Sequence, residues 1–458
     1  MSRGLGLALG VAIVLGLVIF GPPGTLDRGE RPTVSPLPAL MLAAPAGPAV
    51  TIAPNPIGLS IEYPLLAHDL GSGRCPPASL VRTIEALGSP TLRIGGDSQD
   101  TVAPAGTPPH PGVTDLPPAF FSQLACLERE TQIPIVVGLN LASGETAWAA
   151  KLAASARAAV APGRLSFELG NEPDIYGRTV LWWNGRALLR TPMPWATYLR
   201  RARAVEARLG TRAAIEGPDF ASGRWVHAVP MLTAALHLRT LDAHFYPLDA
   251  CRNPAAVTAA STTAALLSRQ IQTKISERVR VARYARAERL PAVISETNSV
   301  SCGGLAGVSD EPAAAVWAVR MILRALRAGF AAVRFHSSGR AYDPFVVSAG
   351  VVTTRPLYRG LLAAAQLLSA GAVLRAIPNA GALDGVAITR PDGARTTVLS
   401  NYAAAPRSVL LAATTRVRVL RIVARAPAVR HAVITPAHGR ARVELLPNSV
   451  EAITVQPS

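Results

Sequence analysis

The sequence predicts an α/β fold, a (β/α)8 barrel followed by an all-β sandwich. Three observations predict it. Between residues 55 and 369, eight short apolar runs alternate with longer helical patterns. After about residue 370 the helical period gives way to short runs rich in Val, Leu, Thr and Arg, some separated by turn residues such as Pro391-Asp392-Gly393 and Pro447-Asn448. The 458 residues are 49% hydrophobic and 16% charged, which excludes a disordered chain and leaves room for a large domain plus a smaller one.

The elements follow in order. Residues 1–30 open with Arg3 and an uncharged run from Gly4 to Phe20, closed by Gly21-Pro22-Pro23. This reads as a cleaved signal or as an uncleaved membrane anchor, and either exports the rest of the chain to the cell surface, the periplasm or the medium. Residues 31–54 carry strand-like pieces that are expected to join the sandwich. The barrel strands are expected at Ile57–Tyr63, Thr91–Gly95, Ile133–Asn140, Leu165–Gly170, Arg212–Gly217, Leu241–Tyr246, Ala292–Glu296 and Ala332–His336. Helical patterns lie between them, among them one long helix over Thr262–Glu288. Residues 370–458 form the β module.

The formal charge is +17, and Lys151 and Lys274 are the only lysines, so arginine carries the excess. Such a field attracts polyanions. The arginines are scattered and no basic run is interleaved with aromatics, so no nucleic-acid partner is expected. The cysteines, Cys75, Cys126, Cys251 and Cys302, show no metal-ligand spacing; no metal and no cofactor are expected. An even count in an exported chain permits two disulfides, with three pairings open by spacing alone.

A barrel keeps its chemistry at the C-terminal ends of its strands. The fourth strand ends in Asn171-Glu172-Pro173 and the seventh in Ser295-Glu296-Thr297. Both glutamates face one mouth. Two carboxyls about 5–5.5 Å apart suit retaining glycoside hydrolysis, one as nucleophile and one as acid/base. Asn171 is placed to hydrogen-bond a sugar 2-hydroxyl.

The strings ELGNEPD at 168–174, LRIGGDSQD at 92–100 and SETNSVSCGG at 295–304 resemble glycoside hydrolase family 79, the β-glucuronidase and heparanase-like family. The resemblance spans the barrel and the β module. It implies retaining hydrolysis of β-linked glucuronic acid without metal or cofactor, with Glu172 as acid/base and Glu296 as nucleophile. An exo-acting β-glucuronidase is the first reading and an endo-acting, heparanase-like enzyme on acidic polysaccharide the second. A non-catalytic cell-surface polysaccharide-binding protein is the reading from another class.

Supporting roles are expected for Tyr246 and Arg93 beside Glu296, and for Glu62 and Asp97 on sugar hydroxyls, although Asp97 stands where the family strings often carry Asn. Gly303, Gly304 and Tyr342 are the candidates for a C6 carboxylate pocket, because backbone N–H groups and a phenol hold a carboxylate without a full counter-charge. His336 is expected as a hydrogen-bonder at the rim, and Trp182 and Trp183 are candidates to stack on a leaving-group sugar. The barrel layout places Cys251 and Cys302 in neighbouring loops after strands six and seven. Pairing them leaves Cys75 with Cys126, at the starts of neighbouring helices.

Overall fold

A computed structural model describes residues 39–455, apart from 105–106, 108–111, 178–180, 184–185, 189–191, 211–212, 252–257 and 379–382. The apolar leader lies outside the described residues. Among the described residues no helix is long and apolar enough to cross a membrane.

Eight parallel strands form the barrel: β1 (Ile57–Ile61), β2 (Thr91–Ile94), β3 (Ile135–Leu139), β4 (Leu165–Leu169), β5 (Ile215–Glu216), β6 (Leu241–Phe245), β7 (Ala292–Thr297) and β8 (Phe330–Ser337). Strands β1, β2, β3, β6 and β7 are buried at every position. Strands covered on both faces read as continuous apolar runs, which is why each was visible in the sequence. Hydrogen-bonded neighbours run from β6 through β7, β8 and β1 to β5. The remaining seam closes through the segment after β5, where Phe220 N–H donates to Asp242 O at 3.2 Å and His244 N–H to Phe220 O at 2.9 Å.

The long helix expected over Thr262–Glu288 is instead broken into Ala259–Leu267, Arg269–Thr273, the 3-10 turn Lys274–Arg278 and Val279–Ala287. Ser268 sits at the first break, its hydroxyl accepting from Ile271 N–H at 3.2 Å, the N-cap geometry that restarts a helix. A further helix, Tyr63–Leu70, begins directly after β1.

The C-terminal module is two β layers, antiparallel except where Leu40–Met41 pairs parallel with Arg407–Ala412. Its larger sheet holds seven strands, and its first edge is Ala46–Thr51, which pairs with Val373–Ile377. Three short strands, Leu40–Met41, Arg407–Ala412 and Arg440–Leu445, make the second layer. Val409, Val417, Val419, Leu399 and Ile453 fill the space between. The other face of the large sheet puts Val398, Ile422, Val450 and Ala452 into the same core as the barrel helices. Buried Arg320, on helix Pro312–Arg327, crosses that junction, donating to Leu267 O, Asn401 O and Ser449 O while its guanidinium lies 4.1 Å from the Tyr402 ring centre. The barrel and the β module therefore share one core.

Candidate active site

Arg93, midway along β2, is fully buried. A guanidinium this deep is tolerated only with counter-charges and filled donors. It donates Nε and Nη2 to the two oxygens of Glu168, each at 2.6 Å, and Nη1 to Ser60 Oγ and Glu296 Oε2, each at 2.8 Å. Nη2 also reaches Asn171 Oδ1 at 3.0 Å and Asp219 Oδ2 at 3.4 Å. Burial opposes its charge, but Glu168, Asp219 and Glu296 outweigh burial and raise its pKa well above the usual value. One side chain thus ties β1, β2, β4, β7 and the segment after β5 together beneath the mouth. A second buried layer lies in the barrel, where Arg334 donates to Glu216 at 2.6 Å and Ser166 donates to the same carboxylate.

Glu296, on β7, is 6% exposed. Its Oε2 accepts from Arg93, and its Oε1 accepts from the Tyr246 hydroxyl at 2.8 Å. His336 Nδ1 lies 3.5 Å from Oε2 and His244 Nδ1 3.8 Å from Oε1. Burial would neutralise this carboxyl. The charges of His336, His244 and Arg93 and the tyrosine hydrogen bond prevail and bring its pKa down to about 2.

Glu172 follows β4 in the left-handed region, at φ +48°. Its turn is pinned on both sides. Asp100 accepts from Asn171 N–H and from the Tyr176 hydroxyl, and Asp174 accepts from Ala221 N–H, Ser222 N–H and Ser222 Oγ. So held, Glu172 Oε1 meets His244 Nδ1 at 2.9 Å. One oxygen of Glu172 and one of Glu296 lie within 4.8 Å of each other, with His244 alongside both.

His244, on β6, was not singled out from sequence and sits at the centre of the site. Burial opposes its protonation, but Glu296, Asp219 and Glu172 outweigh it and raise its pKa well above the ordinary range. The resulting imidazolium donates Nδ1–H to Glu172 and turns Nε2 toward Asp219, 3.5 Å away. Glu168 and Asp219 were missed as well. Burial first, then the charge of Asp219, raises the Glu168 pKa, whereas Arg93 leads the groups that keep Asp219 ionised. Both sit on inward-facing positions among apolar neighbours, a signal that the sequence did carry.

The remaining candidates divide. Glu62 accepts from the N–H groups of Asp97 and Ser98 at 2.9 Å each, and from the Ser98 hydroxyl, so it caps the turn after β2. Gly96, at φ +98°, permits this closeness; a Cβ there would strike the Glu62 carboxylate and come within 2.7 Å of His336 Cε1. Asp97 keeps solvent access, yet desolvation in the cleft and the charges of Glu62, Glu296 and Glu172 raise it to about 7. His336, expected at the rim, is buried and lies between Glu296 and Glu62 with Nδ1 3.0 Å from Ser60 Oγ. Asn171 gives its carbonyl to Arg93, and no described residue accepts from its Nδ2.

Gly303 and Gly304 carry φ of +91° and +83° and lie against the loop holding Arg340 and Tyr342. Neither glycine N–H donates to a described protein group, and the Tyr342 hydroxyl accepts from Ser338 Oγ at 3.0 Å. Asn298 holds the two loops together, donating to His336 O and Tyr342 O. Trp182 and Trp183 lie on a short strand, and their side chains fall outside the described residues. Both expected disulfides are present, Cys75–Cys126 and Cys251–Cys302, with Cα–Cα distances of 5.4 Å. Cys126 lies in the middle of helix Phe120–Thr131, not at its start.

Two acidic groups bring ligand atoms within 4.8 Å of one another: Glu172 with His244 and Glu296, and Glu168 with Asp219 and Asp242. Arg93, the His244 imidazolium and Arg334 already stand against these carboxylates. A divalent cation would have to displace them.

No protein-family model matches the chain. A β-glucuronidase of Neurospora crassa is 22% identical over 411 residues, covering 78% of this chain and 69% of that protein. A 4-O-α-L-rhamnosyl-β-D-glucuronidase from Fusarium oxysporum superimposes with a TM-score of 0.68 at 18% identity, over 91% of this chain and all of the other. A family 51 arabinofuranosidase from Xanthomonas axonopodis pv. citri gives 0.66 at 14% identity, over 89% and 98% of the two chains. The structural likenesses carry the fold: a TIM barrel with an appended β domain.

Proposed function

We propose that this chain is a retaining glycoside hydrolase that acts on β-glucuronides, with Glu296 as nucleophile and Glu172 as general acid/base. The observation that carries the reading is the carboxylate pair: two oxygens within 4.8 Å, one carboxylate buried and held ionised, the other more open on a pinned turn. That separation suits direct attack rather than a water between the groups, which needs about 6.5–9.5 Å. The relationship to a β-glucuronidase supports the same chemistry.

In the first step a Glu296 oxygen bonds to the anomeric carbon as the bond to the aglycone oxygen breaks. Glu172 gives its proton to that departing oxygen. In the second step Glu172 takes a proton from water, the water oxygen bonds to the anomeric carbon, and the bond to Glu296 breaks with its electron pair returning to the carboxylate. His244 is a positioning residue, orienting Glu172 while adding positive charge beside Glu296. Asn171 Nδ2 serves the 2-hydroxyl. The unengaged N–H groups of Gly303 and Gly304, with the Tyr342 hydroxyl, suit the C6 carboxylate. Two disulfides and an apolar leader support an exported enzyme.

A panel of 4-nitrophenyl β-glycosides tests the substrate. The glucuronide should be preferred over glucoside, galactoside and xyloside; preference for a neutral sugar removes the glucuronide assignment and leaves the double displacement standing. Glu296→Ala should lose hydrolysis and regain part of it with azide, giving the inverted glycosyl azide. Unchanged hydrolysis in Glu296→Ala or Glu172→Gln overturns the residue roles.

A further inference from the structure

The loops that follow β6 and β7 are laced together at the mouth. Ser301 N–H donates to Leu248 O at 2.9 Å. The Ser301 hydroxyl donates to Asp249 Oδ1 at 3.0 Å and accepts from Ala250 N–H at 3.2 Å. Asp249 Oδ1 also accepts from Cys251 N–H at 2.9 Å. The Cys251–Cys302 bridge closes this lacing, and both of its cysteines are exposed. The first loop leaves β6 at Tyr246, and the second leaves the strand that carries Glu296.

At the bridge the second loop turns sharply. Cys302, Gly303 and Gly304 take φ of +57°, +91° and +83° in succession. Glycine enters this region freely, whereas a cysteine stays there only when its surroundings impose it. The turn is held from both sides. On one side stand the bridge and Ser301. On the other, Gly303 O accepts from Tyr342 N–H at 3.4 Å. Packing there is close: a Cβ on Gly303 would come within 2.8 Å of Arg340 Cγ, and one on Gly304 within 2.8 Å of Ser309 Oγ. A peptide group is a rigid plane, so the backbone angles of Cys302 help set where the Gly303 N–H points. The Tyr342 ring lies 5.9 Å from the His336 ring, and His336 Nδ1 lies 3.5 Å from Glu296, which puts the turn beside the carboxylate pair.

We infer that the Cys251–Cys302 bridge is a specificity-determining strut: it fixes the left-handed turn at Cys302 and so holds the Gly303 and Gly304 N–H groups toward a sugar carboxylate. This role rests on the C6 carboxylate pocket proposed above and adds what keeps that pocket in shape. A carboxylate gains more from oriented N–H donors than a neutral hydroxyl does, because charge-assisted hydrogen bonds are roughly twice as strong. Opening the bridge therefore weakens binding of a uronide and spares a neutral sugar. Cys251 and Cys302 are positioning residues here, since neither touches the reacting atoms.

The test compares 4-nitrophenyl β-glucuronide with 4-nitrophenyl β-glucoside on the full chain. In Cys251→Ser/Cys302→Ser, KM for the glucuronide should rise at least about tenfold with kcat within about threefold, and kcat/KM for the glucoside should stay within about twofold. Cys75→Ser/Cys126→Ser removes the other bridge, which joins helix Phe120–Thr131 to the segment 71–77, and should keep the parent's preference for the glucuronide. Reduction of the folded parent, with alkylation and peptide mass spectrometry to show that Cys251 and Cys302 have opened, should reproduce the fall in preference without any mutation. Equal loss on both substrates would overturn the strut in favour of a general hold on the catalytic loops, and an unchanged preference after opening would overturn it outright. A parent that prefers the glucoside would remove the carboxylate pocket and the strut together, whereas a parent that prefers the glucuronide with or without the bridge removes the strut alone.

Discussion

Tyr246→Phe removes one hydroxyl and leaves the ring that packs beside β7. The lost bond is a 2.8 Å donation to an ionised, buried carboxylate, Glu296 Oε1. Hydrogen bonds to charged groups contribute about 1.5–3 kcal/mol, which is about one to two pH units in the titration of the acceptor. Glu296 titrates at about 2 instead of 4.5, a difference on the order of 3 kcal/mol, to which the tyrosine hydrogen bond adds after the charges of His336, His244 and Arg93. The sign follows from the lowered pKa. The stabilisation is complete above the unfolded value of 4.5 and is lost as pH falls through about 2. In the variant the folded carboxylate takes its proton at higher pH, and the acid limb of kcat/KM on 4-nitrophenyl β-glucuronide should rise by about one pH unit. The fold should survive at neutral pH, because Arg93, His336 and His244 still face the carboxylate. A pH profile of kcat/KM, with thermal melting at each pH to exclude unfolding, measures the effect. An acid limb that stays where the parent's lies would refute the claim that this hydroxyl holds Glu296 ionised.

Other perturbations follow from the same geometry. Asp97 titrates at about 7, so its charge appears as pH rises through neutrality and repels an anionic substrate; KM for the glucuronide should climb over that range, and Asp97→Asn should flatten the climb, by about fivefold at the alkaline end. Gly96→Ala forces a Cβ against the Glu62 carboxylate at φ +98°, costing about 1–3 kcal/mol of backbone strain before any clash, and should lower both Tm and kcat. Arg320→Met strands three buried carbonyls and should destabilise the chain by about 3–5 kcal/mol, read by denaturant unfolding, with kcat on the surviving folded fraction unchanged.

Much of the fold was legible because each barrel strand is a short apolar run buried on both faces, and each run ends in polar residues at the mouth. The two glutamates were legible for the same reason: strand ends four and seven are adjacent to one cleft whatever the loops do. The long helix over 262–288 was not, since its apolar period continues through Ser268, and only the N-cap bond from Ile271 shows that the chain restarts there. Within the β module, strands Val373–Ile377, Arg407–Ala412 and Ser449–Val455 lack a clean apolar–polar alternation, so their sequence does not mark them individually. His244, Glu168 and Asp219 stand beside apolar residues in the sequence, but nothing local to them says what they pair with. A buried charge is identified by its partners, and those partners come from β2, β4, β6 and β7, up to about two hundred residues apart in sequence. His336 shows the same limit: its strand end was found, but its burial between Glu62 and Glu296 depends on Gly96 letting the turn close.

The central claim is that Glu296 forms a covalent bond to the sugar. A 2-deoxy-2-fluoro-β-glucuronyl fluoride, which slows the second step more than the first, should accumulate that intermediate, and peptide mass spectrometry should find one fluoroglucuronyl group on the peptide bearing Glu296, at that residue. A label on a different carboxylate, or hydrolysis of the reagent with inverted product and no labelled protein, would contradict the account.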